Sequence, residues 1–139
     1  MNPPTIPEQT LEQALTAALE TLRQRKWKAK NGGITVNGIN IDTDATGQET
    51  ISGAVLNTVL DENFTARWKT AAVNPDGTAV WITLDANAIR LLAKALTAHT
   101  EACFAVEETK QQELTNCTTI EQIEEWLDTE LDKGWPNDN

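Results

Sequence analysis

Apolar residues recur along the chain in two rhythms, one helical and one extended. From Glu8 the rhythm is helical: Leu11, Leu15, Ala18, Leu19 and Leu22 make one stripe. Arg23, Arg25, Lys26, Lys28 and Lys30 crowd its end, where positive charge suits the helix dipole, and Asn31-Gly32-Gly33 is a stop. Ile34-Thr35-Val36 and Ile39-Asn40-Ile41 flank Asn37-Gly38, which predicts a tight hairpin because both turn residues take positive φ. Thr46-Gly47-Gln48-Glu49 reads as a capping box for a second helix reaching about Asp61, with Ile51, Val55, Leu56, Val59 and Leu60 on one side.

Phe64 to Val73 and Thr78 to Leu84 read as paired strands around the turn Asn74-Pro75-Asp76-Gly77. Val80, Ile82 and Leu84 alternate with Ala79, Trp81 and Thr83, so this hairpin is expected to be covered on both faces. Asp85 caps a long helix from Ala86 to about Leu114, with Ile89, Leu92, Leu96, His99, Cys103, Val106 and Lys110 at helical spacing. Thr118 or Thr119 caps a last helix with the stripe Ile120, Ile123, Leu127 and Leu131, closed by Gly134 and Pro136. The order predicts an α+β fold: helix, β-hairpin, helix, longer β-hairpin, long helix, C-terminal helix. Residues 1–7, with three prolines, form a lead-in; residues 8–133 form one domain; residues 134–139 are a short polar tail with Trp135.

The 139 residues are 40% hydrophobic and 23% charged, a globular composition. Eleven Lys and Arg against twenty-one Asp and Glu give a net charge of −10, which argues against nucleic-acid and anionic-membrane partners. The charge is uneven: residues 1–30 are net +2 and residues 101–139 net −9. The chain is therefore a dipole and a candidate for electrostatic docking. No apolar run approaches the ~20 residues of a membrane helix, and the N-terminal residues have no secretory pattern. Two cysteines fit a reducing cytoplasm.

Several groupings carry candidate chemistry. Asp42-Thr43-Asp44-Ala45-Thr46-Gly47 resembles half a calcium loop, yet the twelfth position, where a bidentate acid belongs, is Gly53. The plainer reading is a turn placing negative charge at a helix N-terminus. His99 and Cys103 share a helix face and would suit a metal or a thiolate–base pair; a core-facing pair is the simpler reading, and a thiol in an apolar stripe is inert. The basic cluster around Trp27 would suit a nucleic-acid strand, or a cationic helix end with Trp27 packed beneath it. Glu124, Glu125 and Asp128 read as a solvated face. Trp135 either folds back on the domain or anchors a partner. No nucleophile elbow and no phosphate-cradling glycine loop is present.

The order of Gly33-Ile34-Thr35-Val36-Asn37-Gly38, Ile41-Asp42-Thr43-Asp44, Ile51-Ser52-Gly53-Ala54, Trp68-Lys69, Asp76-Gly77 and His99-Thr100-Glu101-Ala102-Cys103-Phe104 resembles a domain family of unknown function encoded by tailed bacteriophages and prophages near tail-fibre genes. The resemblance spans roughly residues 23–125. In many relatives the Trp-Lys strand runs almost directly into Asp-Gly; here Thr70 to Pro75 intervene. No catalytic residues are carried over. The resemblance implies a non-catalytic assembly chaperone or adaptor that binds the tail-fibre polypeptide in the host cytoplasm, with a structural component of the virion tail as the alternative. A metal-dependent enzyme using His99 and Cys103 is the distant one. No cofactor is expected. Trp68, Lys69, Trp81 and Trp135 are the expected partner-binding residues, and self-association as a dimer or trimer is open.

Overall fold

The computed structural model describes residues 8–136; the lead-in at residues 1–7 and the last three positions lie outside the described residues. The element order is α1 (Leu11–Asn31), β1 (Ile34–Val36), β2 (Ile39–Ile41), α2 (Ala45–Leu60), β3 (Ala66–Val73), β4 (Ala79–Leu84), α3 (Ala86–Thr115) and α4 (Ile120–Thr129). This is the predicted α+β order.

Helix α1 begins three residues later than its polar-apolar rhythm suggests. Thr10 and Gln13 form a reciprocal capping box, each side chain taking the other's backbone N–H. The first hairpin pairs Ile34 with Ile41 and Val36 with Ile39, and Asn37 and Gly38 both take positive φ, at 51° and 80°. Helix α2 is capped by Asp44 and not by Thr46: the Asp44 carboxylate accepts the Gly47 N–H at 2.8 Å. A carboxylate two residues earlier claims the orphan donor first, so Thr46 lies inside the helix.

The second hairpin is shorter than expected. The Phe64 N–H donates to the Asp61 carbonyl in a turn, and β3 starts at Ala66. The ladder is regular from Ala66↔Leu84 to Lys69↔Trp81, then shifts register before Val73↔Ala79. The two hairpins are separate two-stranded sheets. They meet where the Trp68 indole N–H donates to the Asn40 carbonyl at 3.2 Å.

Two apolar clusters share one helix. The first joins Ala14, Ala18 and Leu22 of α1 to Leu114 of α3, Ile123 and Trp126 of α4, and Trp135. The second joins Ile34, Ile41 and Ile51 to Leu84, Ile89, Leu92 and Leu96. The 30-residue α3 contributes to both, with its buried residues on the predicted stripe. Trp135 folds back: it is 4% exposed and its indole N–H donates to the Leu131 carbonyl at 2.7 Å.

Four other expectations are corrected. Helix α4 ends at Thr129, so Leu131 follows the helix, and the buried Trp126 joins the α4 stripe. Trp27 is not packed beneath the basic cluster but is 66% exposed. Among the described residues only one face of the second hairpin is covered; Arg67, Lys69, Trp81 and Thr83 face outward. The apolar residues of α2 do not share a side. Ile51, Val55 and Thr58 turn inward, while Leu56, Val59 and Leu60 are 60%, 72% and 76% exposed.

Candidate functional site

The period of two along β3 and β4 sorts the predicted partner-binding residues onto different surfaces. Lys69 and Trp81 are direct cross-strand partners on the outer face. Beside them the Arg67 guanidinium donates to the Thr83 hydroxyl at 2.9 Å, which fixes the neighbouring pair. Trp81 is 51% exposed and Lys69 is exposed, so an indole plane and an ammonium stand together on an outer sheet face. Cross-strand pairs of this kind hold side chains within about 5 Å at Cβ.

Trp68 lies on the inner face, opposite Ile82 and half-buried. It lines one wall of a groove of about 530 Å³ between the second hairpin and the start of α2, with Asn40, Asp42, Thr46, Thr50 and Lys69 around it. Trp68 and Lys69 thus border the same groove from opposite sides of one strand. Trp135 sits in the α1–α3–α4 cluster, away from that groove.

The Asp42 to Gly47 string is a packed turn. Thr43 is fully buried; its hydroxyl donates to the Lys30 carbonyl and accepts the Gly33 N–H at 3.0 Å. Gly47 is required by close approach, because a Cβ there would stand 1.9 Å from the Asp42 carbonyl oxygen. The Asp44 carboxylate is engaged as the helix cap. Among the described residues no three His, Cys, Asp or Glu side chains converge as a metal-ligand group.

His99 is 5% exposed, with Nε2 3.0 Å from the Ala29 carbonyl oxygen. A carbonyl only accepts, so this contact assigns the proton to Nε2. Cys103 Sγ lies 3.8 Å from the same nitrogen. A protonated Nε2 has no lone pair to take the thiol proton, so the two are not arranged as base and nucleophile. Burial pushes the Cys103 thiol up from its ordinary value, against the opposing pull of Lys26, Lys30 and Arg25. His99 Nδ1 is buried and has no hydrogen-bond partner.

The basic cluster is turned largely onto the molecule itself. Arg25 reaches Asp132 at 2.7 Å and lies 5.2 Å over the Trp135 ring. Lys26 and Lys30 lie 4.9 and 5.6 Å over Phe104, and Lys26 is 3.9 Å from Glu107. Arg23 pairs with Glu20. The basic end of α1 therefore meets the acidic C-terminal part of the chain inside one molecule. Lys110, predicted only as a continuation of the α3 stripe, is buried: its ammonium donates to the Glu130 carbonyl and stands 5.5 and 5.9 Å from the Trp126 and Trp135 rings. Burial lowers its pKa from the ordinary lysine value, with Glu113 and Glu130 opposing. Trp126, absent from the predicted stripe, donates its indole N–H to Glu113 at 2.9 Å. The signal for both was their helical spacing from Leu114 and Ile123, masked by charged neighbours.

No curated protein and no solved structure matches the chain. A family model described as Domain of unknown function (DUF4376) matches residues 12–130, a span that takes in both hairpins and all of α2, α3 and α4. The chain belongs to that family.

Proposed function

We propose that the protein is a non-catalytic assembly chaperone or adaptor that binds a bacteriophage tail-fibre polypeptide in the host cytoplasm. The phage setting rests on the motif order from Gly33 to Phe104. One observation supports a binding role above the others: Trp81, half exposed, stands beside the exposed Lys69 on the outer face of the second hairpin. A rigid indole presented on a sheet is the type of anchor that dominates protein interfaces. An ammonium next to it favours an acidic or carbonyl-rich partner segment.

Co-expression with a tail-fibre gene of the same genome tests the proposal. Soluble trimeric fibre should rise with the wild-type chain and fall back with Trp81→Ala or Lys69→Ala at equal expression. Unchanged fibre yield and trimer content with the wild-type chain would sink it. The structural-component alternative predicts stoichiometric presence of this chain in purified particles by mass spectrometry; the chaperone role predicts absence.

A further inference from the structure

We infer that the free edge of β3 takes an extended, acidic segment of another polypeptide as a third strand, laid in the groove between β3 and the first turns of α2. The inference rests on the reading of this chain as a binding protein and names the form of the partner; it does not require that partner to be a fibre. Four consecutive residues of β3, from Arg67 to Thr70, line the groove of about 530 Å³. Side chains alternate between faces along a strand, so an unbroken run of four marks the strand's edge and not one of its faces. No strand lies beside that edge, because the sheet consists of β3 and β4 alone. The first hairpin does not fill the place. Its Asn40 carbonyl is taken by the Trp68 indole N–H, a side chain standing where a ladder bond would be. Among the described residues no backbone hydrogen bond from outside the β3–β4 pair reaches residues 67–70. An unpaired edge of this kind is a template for strand addition, in which main-chain bonds give affinity and alternate side chains give selectivity.

Charge selects the occupant. In a chain of net charge −10, β3 carries two cations and no acid. Arg67 and Lys69 share its outer face, so an added strand sets every second side chain beside them, and those side chains are acidic. The alternate side chains fall on the inner face beside Trp68 and are apolar. The carboxylates nearest the hairpin's ends are engaged in their own turns: Asp76 accepts from Thr78, and Asp85 caps α3. Across the groove stand Asp42, Thr46 and Thr50, oxygen-bearing groups with no cation among them. Acceptors of that kind suit the N–H groups along the far edge of an added strand. The same accounting excludes a second copy. Pairing β3 with its own copy sets Arg67 and Lys69 against like charge, and β1, β2 and β4 have no carboxylate to offer.

Fluorescence anisotropy of a labelled synthetic peptide, titrated with the full chain at physiological salt, tests this. The peptide has threonine at each end and valine, glutamate, valine, glutamate, valine between. It should bind saturably below millimolar protein, and hydrogen exchange should slow at the backbone of residues 67–70. N-methylating its valines or its glutamates removes the N–H groups of one edge; whichever set faces β3 should weaken binding about ten-fold or more when methylated. Lys69→Glu reverses the local charge and Thr50→Trp fills the groove, and each should weaken binding about ten-fold. Both positions are exposed, so unchanged circular dichroism establishes that the variants are folded. Replacing both glutamates of the peptide by lysine should remove the protection at residues 67–70. Absence of saturable binding, equal binding by the parent and both methylated peptides, unchanged protection with the lysine peptide, or protection along β4 in place of β3 each overturns the inference. So does a wild-type chain already dimeric by light scattering with those amides protected, which would make the occupant a second copy. Fibre yield does not enter this test, so failure here leaves the fibre reading to its own experiment.

Discussion

Trp135 buries its indole between Leu131 and the Arg25 guanidinium, whereas Trp81 gives half of its surface to solvent. Removing the first opens a large cavity, so Trp135→Ala should cost about 3–5 kcal/mol in denaturant unfolding. Trp81→Ala should change stability by less than about 1 kcal/mol and act on partner binding instead. The cysteines divide in the same manner. Cys103 is fully buried with its thiol held protonated, and Cys117 is half-buried with its thiol donating to the Glu113 carbonyl at 3.5 Å. Iodoacetamide should label Cys117 in the native protein and reach Cys103 only on unfolding, as peptide mass spectrometry would read. The raised folded pKa of Cys103 also fixes a sign. Its contribution is complete below the ordinary thiol value of 9.0 and is lost as pH rises above it. Wild type should therefore lose stability relative to Cys103→Ala as pH is raised above 9.0; a flat difference would refute this.

Two glycines of α2 predict opposite outcomes from the same substitution. Gly47→Ala drives a methyl into the Asp42 backbone and should destabilise by roughly 1–3 kcal/mol. Gly53→Ala meets open space and should stabilise the fold by up to about 1 kcal/mol through helix propensity. Thermal melts of the two variants check the pair. Sequence made some elements legible and others not, for reasons visible in these residues. Asn37-Gly38 announces its hairpin because few dipeptides accept two positive φ values. The α3 stripe is readable as far as Lys110 because one face stays buried for eight turns. In α2 the face is unreadable: with apolar side chains on both sides, periodicity does not say which one turns inward. Trp68, Lys69 and Trp81 are expected alike as partner-binding residues, yet the strand's period of two sends Lys69 and Trp81 outward and turns Trp68 inward. Covering of both hairpin faces fails for the same cause: Trp81 is apolar enough to resemble core and is not placed in it.

At the scale of the molecule the charge dipole closes on itself. Arg25 with Asp132 and Lys26 with Glu107 join the basic end of α1 to the acidic C-terminal part, so less of the net −10 is free to steer a partner than the sequence suggests. The two apolar clusters are bound into one unit by α3. Leu114→Ala in the first and Ile89→Ala in the second should each cost about 2–5 kcal/mol. Both should shift a single transition in which tryptophan fluorescence and circular dichroism coincide; separate transitions would mean the clusters melt independently. The clusters differ in when they become possible during synthesis. The second is complete once the ribosome has passed Leu96, since every residue in it lies between Ile34 and that point. The first needs Ala14 to meet Trp135, and its Arg25–Asp132 pair joins positions 107 apart. Helix α1 is thus translated well before the residues that shelter it. Until Trp135 has been synthesised, its apolar face is open to any chaperone or neighbouring nascent chain that reaches it.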